Sequence, residues 1–160
     1  GKIIGGGLPV GAYGGRADLM RHVAPEGGVY QAGTLSGHPL AMAAGAVTLD
    51  LLTPEVYGTL EETGADLEAG LRDAAAAAGR EVAIARVGSL LTVFFRPGVP
   101  HSWAEAGTAD RDAYARFFGA MLDQGVLLPP SQFEAWFIGA CHGAMEVTQT
   151  IAAARRAFAA

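Results

Sequence analysis

The chain has 160 residues, a formal net charge of −5, an apolar fraction of 51% and a charged fraction of 17%. This is the balance of a globular protein, not a disordered one. The acidic balance disfavours a binder of phosphate backbones, which needs a basic face. No apolar run reaches the length of a membrane span, and the segment after Lys2 is no signal-peptide core. The single cysteine, Cys141, excludes an intrachain disulfide and suits a reducing, cytoplasmic setting.

The chain begins with Gly1-Lys2-Ile3-Ile4-Gly5-Gly6-Gly7-Leu8-Pro9-Val10-Gly11-Ala12-Tyr13-Gly14-Gly15, which holds its only lysine. So many glycines fit neither a helix nor a regular strand. The run reads as a buried turn that approaches something closely. Ile3-Ile4 and Val10 to Tyr13 read as short buried strands beside it. A lysine in that setting loses hydration, which favours its neutral form. A neutral amine is a nucleophile for carbonyl groups. The phosphate-loop template G-x-x-x-x-G-K-[ST] fails because the lysine precedes the glycines. The dinucleotide template G-x-G-x-x-G fails at Val10.

Arg16 to Ala24 reads as a short helix ended by Pro25, and Val29 to Ala32 as extended chain. Gly33-Thr34-Leu35-Ser36-Gly37 is a small polar loop before a helix from Pro39 to Leu52. That helix is apolar on most faces, which predicts burial. Thr34 and Ser36 either cap it or join its first amides in an anion site.

Thr53-Pro54 restarts a helix that runs to Gly79, with Val56, Leu60, Leu67, Leu71 and Ala74 at helical spacing. Glu81 to Val87 and Ser89 to Phe95 read as strands about Gly88, with Leu91, Val93 and Phe95 on one face. His101 to Gly107 reads as loop. Asp110 to Gln124 is a helix with Tyr114, Phe117, Phe118 and Met121 inward, stopped by Gly125. Val126 to Leu128 reads as a short strand. Phe133 to Cys141 contains another, with Cys141 packed in it. Ala144 to Ala160 is a terminal helix with Val147, Ile151, Ala154 and Phe158 on one face. Residues 53–160 thus form a small α+β layer with helices on one face of a sheet. Residues 1–52 lack strands for a core and read as the tail of a larger domain. The histidines have no metal-site spacing, and no serine-hydrolase elbow is present.

Three stretches carry a family resemblance: the opening glycine run, Tyr30-Gln31-Ala32-Gly33-Thr34-Leu35-Ser36-Gly37-His38-Pro39-Leu40-Ala41-Met42, and Pro130-Ser131-Gln132-Phe133-Glu134-Ala135. They resemble the class III aminotransferase family of pyridoxal-phosphate proteins, and the resemblance spans essentially the whole chain. The Ser131 to Ala135 run narrows it to the branch that moves an amino group within one molecule. The resemblance implies the aspartate-aminotransferase fold (fold type I): a large α/β domain, ending here in residues 1–52, and an α+β C-terminal small domain, residues 53–160. It implies a homodimer with sites at the subunit interface, acting on a small amino-aldehyde and not on nucleic acid or membrane.

The implied reaction converts glutamate 1-semialdehyde to 5-aminolevulinate in tetrapyrrole synthesis. By the same resemblance Lys2 binds pyridoxal 5′-phosphate covalently and then moves a proton as acid and base. Gly33 and Thr34 hold the cofactor phosphate across the dimer interface, and Glu134 lies near the substrate. No metal is implied. Parts of the family chain that precede the lysine complete the cofactor site, so the 160 residues alone are expected to be inactive. The sequence departs from the family at His38, where asparagine is usual, at Leu127 and Pro129, where tyrosine and alanine are expected, and at Cys141-His142-Gly143-Ala144. Two alternatives are another class III transaminase and a non-catalytic interaction module.

Overall fold

A computed structural model describes residue 1 and residues 3–160; Lys2, and the expectations that rest on it, lie outside the described residues. The chain divides into two compact units, Gly1–Thr53 and Pro54–Ala160.

The first unit holds α1 (Ala17–Met20) and α2 (Pro39–Leu51). The opening run is a turn, closed by Gly6 N–H donating to the Ile3 carbonyl and Leu8 N–H to that of Gly5. Neither Ile3-Ile4 nor Val10 to Tyr13 is a strand, and Ile3 and Tyr13 are exposed, so the expectation of buried strands is corrected. Among the described residues of this unit only Gly5, Ala41 and Gly45 are buried. Three consecutive glycines leave the turn without side chains to cover its neighbours. The helix at Arg16 to Ala24 shrinks to α1, with Val23 in a single bridge to Val29. α2 forms as expected, but its burial does not: Leu40 is 68% and Leu51 67% exposed. All-round apolarity leaves those faces without a partner within this unit.

The second unit runs α3 (Pro54–Ala77), β1 (Ala83–Val87), β2 (Leu90–Phe94), α4 (Trp103–Ala106), α5 (Arg111–Leu122), β3 (Trp136–Phe137) and α6 (Ala144–Ala159). The strands form one antiparallel sheet in the order β1-β2-β3. Gly88 at φ +58° turns β1 into β2, pairing Val87 with Leu90. A glycine at the first position of a two-residue turn matches the twist of both strands. Gly79 (φ +64°) and Gly125 (φ +81°) end α3 and α5 in the same left-handed region. Asp110 Oδ1 caps α5 by accepting from Ala113 N–H at 2.9 Å.

One face of the sheet, with Ile84, Leu91 and Val93, packs against Leu67 and Leu71 of α3, Phe117 and Met121 of α5, and Phe158 of α6. Phe117 and Phe158 stack with centroids 4.5 Å apart. The opposite face carries a smaller cluster of Ala83, Phe94, Ala106 and Ala109, with Phe133 against it. The period-2 pattern of β2 therefore serves two apolar faces.

Two expectations fail here. Residues 101–107 contain α4, capped by Ser102 Oγ accepting from Glu105 N–H at 3.2 Å. Val126 to Leu128 is not a strand: Leu127 is 77% exposed, and the prolines that follow donate no ladder hydrogen bond.

Candidate functional site

In the first unit the glycine turn sits directly on α2. Gly6 adopts φ +57°, and a Cβ there would lie 2.7 Å from the Ala44 carbonyl oxygen. A Cβ on Gly45 would overlap the Ile4 carbonyl oxygen. The close approach expected of this run is therefore an approach to its own following helix. Pro9, Gly11 and Tyr13 then line an open recess of about 820 Å³ together with Gly33, Ser36 and Met42.

The Gly33 to Gly37 loop is a turn in which Ser36 N–H donates to the Gly33 carbonyl at 3.0 Å, and Gly37 has φ +68°. Gly33 is crowded: a Cβ would stand 3.0 Å from Ser36 Oγ. α2 is capped by His38 without a side-chain hydrogen bond, so neither Thr34 nor Ser36 caps it. Thr34 is exposed. The capping alternative is overturned because Thr34 and Ser36 precede the helix by too much: the turn closes before Pro39 begins it.

Glu134 lies in the second unit, on the connection from α5 to β3. Ser131 Oγ accepts from Phe133 N–H at 3.2 Å, and Glu134 N–H donates to the Ser131 carbonyl at 3.1 Å. This tight turn leaves the Glu134 side chain exposed. Phe133 lies 4.8 Å from the Trp103 ring, with the Arg111 guanidinium 5.6 Å over its face. Gln132 is 2% exposed and its Nε2 donates to the Ala109 carbonyl at 3.5 Å. Tyr114 donates from its hydroxyl to the Pro129 carbonyl at 2.6 Å, and Thr92 to the Glu134 carbonyl at 3.3 Å. Burial pushes the Tyr114 phenol above its ordinary range; the Trp136 indole opposes this, and the charge of Glu134 adds to it.

Thr92, Tyr114 and Gln132 carried no site expectation in the sequence. Their partners lie 42, 15 and 23 residues away, beyond any local motif. Cys141 is exposed in a turn and not packed in a strand, because β3 ends at Phe137. The following turn is held by Gly139 N–H donating to His142 Nδ1 at 2.9 Å. Among the described residues no group of histidine, cysteine, aspartate and glutamate is arranged to hold a metal. No helix among them is long and apolar enough to cross a membrane.

The chain is similar over its whole length to known proteins. It is 56% identical over 160 residues to the glutamate-1-semialdehyde 2,1-aminomutase of Sorangium cellulosum. It is likewise 56% identical over 161 aligned residues to the protein of that name from Pelotomaculum thermopropionicum. It spans about 37% of the length of each of these curated relatives. Among solved structures it is similar to an omega-transaminase from Sphaerobacter thermophilus, with TM-score 0.84 and 30% identity, covering 99% of this chain and 37% of that one. A beta-phenylalanine aminotransferase from Variovorax paradoxus matches with TM-score 0.84 and 31% identity, over 96% of this chain and 36% of that one. The three-stranded sheet with its helices is thus the corresponding part of a class III transaminase fold. The family described as aminotransferase class-III matches residues 1–150, and the chain belongs to it.

Proposed function

We propose that the whole protein to which this chain belongs converts glutamate 1-semialdehyde to 5-aminolevulinate by moving an amino group between neighbouring carbons. The 56% identity to proteins of that name, over the full length of this chain, carries the reading. The solved transaminases are similar at 30–31% identity, so an ordinary donor-dependent transamination is the weaker reading. On this proposal residues 1–52 end a large domain and 53–160 form the small domain. The working form is a cytoplasmic homodimer with sites at its interface. Exposed Leu40, Val47 and Leu51 of α2 suit a segment covered elsewhere in a larger assembly.

Pyridoxal 5′-phosphate is the proposed cofactor, and the first unit fits an anionic group of its kind. The recess is lined by Gly11, Gln31, Gly33 and Ser36, and a Cβ at Gly33 would stand 3.0 Å from Ser36 Oγ. The Thr34 hydroxyl is not used to cap α2. Gly33 and Thr34 would hold the phosphate by hydrogen bonds to its charged oxygens. When bound, the cofactor supplies the electron sink for the carbon losing a proton. Lys2 is the proposed attachment residue; when its amine is free, Nζ would act as acid and base, carrying a proton between the substrate carbon and the cofactor carbon C4′. Glu134 presents its carboxylate to the substrate from a loop that is already folded.

The test is turnover by the full-length protein given glutamate 1-semialdehyde and no amino donor. Formation of 5-aminolevulinate is expected, since the reaction keeps its own amino group. Turnover only after a donor amino acid is added would select transamination instead. Lys2→Ala should remove the cofactor absorbance and nearly all turnover. A borohydride-reduced cofactor mapped to any other peptide would overturn the assignment.

A further inference from the structure

We infer that Thr92, Tyr114 and Gln132 are positioning residues that hold the Glu134 loop in its working shape before substrate arrives. The inference rests on the proposed role of Glu134 for its kinetic consequences, and on geometry alone for the clamp itself. The loop that begins at Pro129-Pro130 cannot pair as a strand, because proline has no N–H to donate. Its carbonyls therefore need partners from elsewhere, since buried acceptors left unpaired are costly. Two of them receive side-chain hydroxyls: Pro129 from Tyr114 on α5 at 2.6 Å, and Glu134 from Thr92 on β2 at 3.3 Å. Between them Gln132 is buried and reaches the Ala109 carbonyl at 3.5 Å. The loop is thus tied at its start to α5, at its middle to the chain just before α5, and at its end to β2.

Thr92 is the telling member. It sits in the middle of β2 between Leu91 and Val93, which are 1% and 0% exposed. Packing alone would accept valine there, which has the same shape and stronger strand preference. The hydroxyl instead donates to the carbonyl of the residue proposed to meet the substrate. That bond fixes the backbone from which the Glu134 carboxylate projects. A carboxylate placed this way needs no ordering on binding, which is how a supporting shell helps a site.

The experiment compares full-length Thr92→Val, Thr92→Ser and the parent by hydrogen exchange of the peptide spanning residues 130–136, with an α6 peptide as control. Thr92→Val is expected to speed exchange of the Phe133 and Glu134 amides about fivefold, the size of one neutral hydrogen bond. The α6 peptide should be unchanged, and Thr92→Ser should restore the slow rate by keeping the hydroxyl. In turnover, Thr92→Val should split between KM and kcat in the same way as Glu134→Gln. The double variant should be no worse than Glu134→Gln alone. Unchanged loop exchange in Thr92→Val, or effects of the two substitutions that multiply, would overturn the clamp. Parent-like turnover in Glu134→Gln would instead refute the role given to Glu134, and with it any kinetic part for Thr92. Neither result bears on whether the reaction needs an amino donor, which is measured separately.

Discussion

Gly70 on α3 lies against Ile151 on α6, so close that a Cβ on Gly70 would stand 2.5 Å from Ile151 Cγ1 and closer still to Cδ1. The missing side chain lets the two long helices meet. Alanine at position 70 would gain about 1 kcal/mol of helix propensity. Overpacking against a β-branched side chain costs about 1–3 kcal/mol. Gly70→Ala should therefore be destabilising on balance in urea melts. Ile151→Ala should cost less in the Gly70→Ala background than in the parent, because it removes the collision. Strict additivity of the two would show that the helices move apart freely.

The devices that could be read ahead of the fold were local ones. Gly79, Gly88 and Gly125 punctuate α3, the β1–β2 turn and α5, and all three adopt positive φ. The apolar spacing of α6 placed Ala154 and Phe158 in the core. α4 carries no helical period in the sequence, because four residues are too few to show one, although Ser102 and Glu105 stand at capping distance. Val126 to Leu128 had strand composition but no ladder partner, and pairing is decided by distant chain. The same limit applies at the candidate site. Ser131 to Ala135 was recognisable as a motif, whereas the hydroxyls that hold it come from β2 and α5. α2 is the sharpest case: its composition predicts burial, and whether a partner face covers it is not encoded in the helix itself.

Glu68 links two arginines. Its Oε1 accepts from Arg72 Nη2 at 2.6 Å and its Oε2 from Arg86 Nε at 2.7 Å, while Arg86 also donates to Glu61 at 2.7 Å. The Arg72 hydrogen bond, and then that of Arg86, hold the Glu68 carboxyl below its ordinary range. A carboxylate depressed in the folded state adds stability above its unfolded pKa and loses it as pH falls through the folded value. Glu68→Gln should therefore lower stability at pH 7 by about 1 kcal/mol, since its partner Arg72 and the outer Glu61 face solvent. Between the unfolded value near about pH 4 and lower pH, the variant's stability should fall less steeply than the parent's. Equal acid slopes in urea melts would remove Glu68 from the pH dependence.

Thr34→Ala in the full-length protein tests the phosphate loop. One hydrogen bond to a charged oxygen is worth about 1.5–3 kcal/mol, so cofactor affinity should fall about tenfold or more. Thr34 makes no cap on α2, so the melting temperature of the cofactor-free protein should stay the same. Cofactor titration as tight as the parent's would take Thr34 out of the site.

Hydrogen exchange of the 160-residue chain should be slowest in β2, α5 and α6. Leu71, Leu91, Val93, Phe117, Met121 and Phe158 are each 2% exposed or less, and they form one cluster across α3, the sheet, α5 and α6. Opening any of these elements exposes that shared core, so their amides should exchange only with near-global unfolding. Phe117→Ala removes a ring stacked on Phe158 and tilted against Phe95, with centroids at 4.5 and 5.6 Å. It should cost about 3–5 kcal/mol and speed exchange throughout that group. α2 offers a contrast. It is 13 residues long and buries only Ala41 and Gly45. A helix of that length is marginal without tertiary cover. Its amides should exchange well before those of α5 in the same chain. Amides of α2 as slow as those around Phe117 would mean that the exposed faces of Leu40, Val47 and Leu51 are covered in solution, by a second copy of the chain.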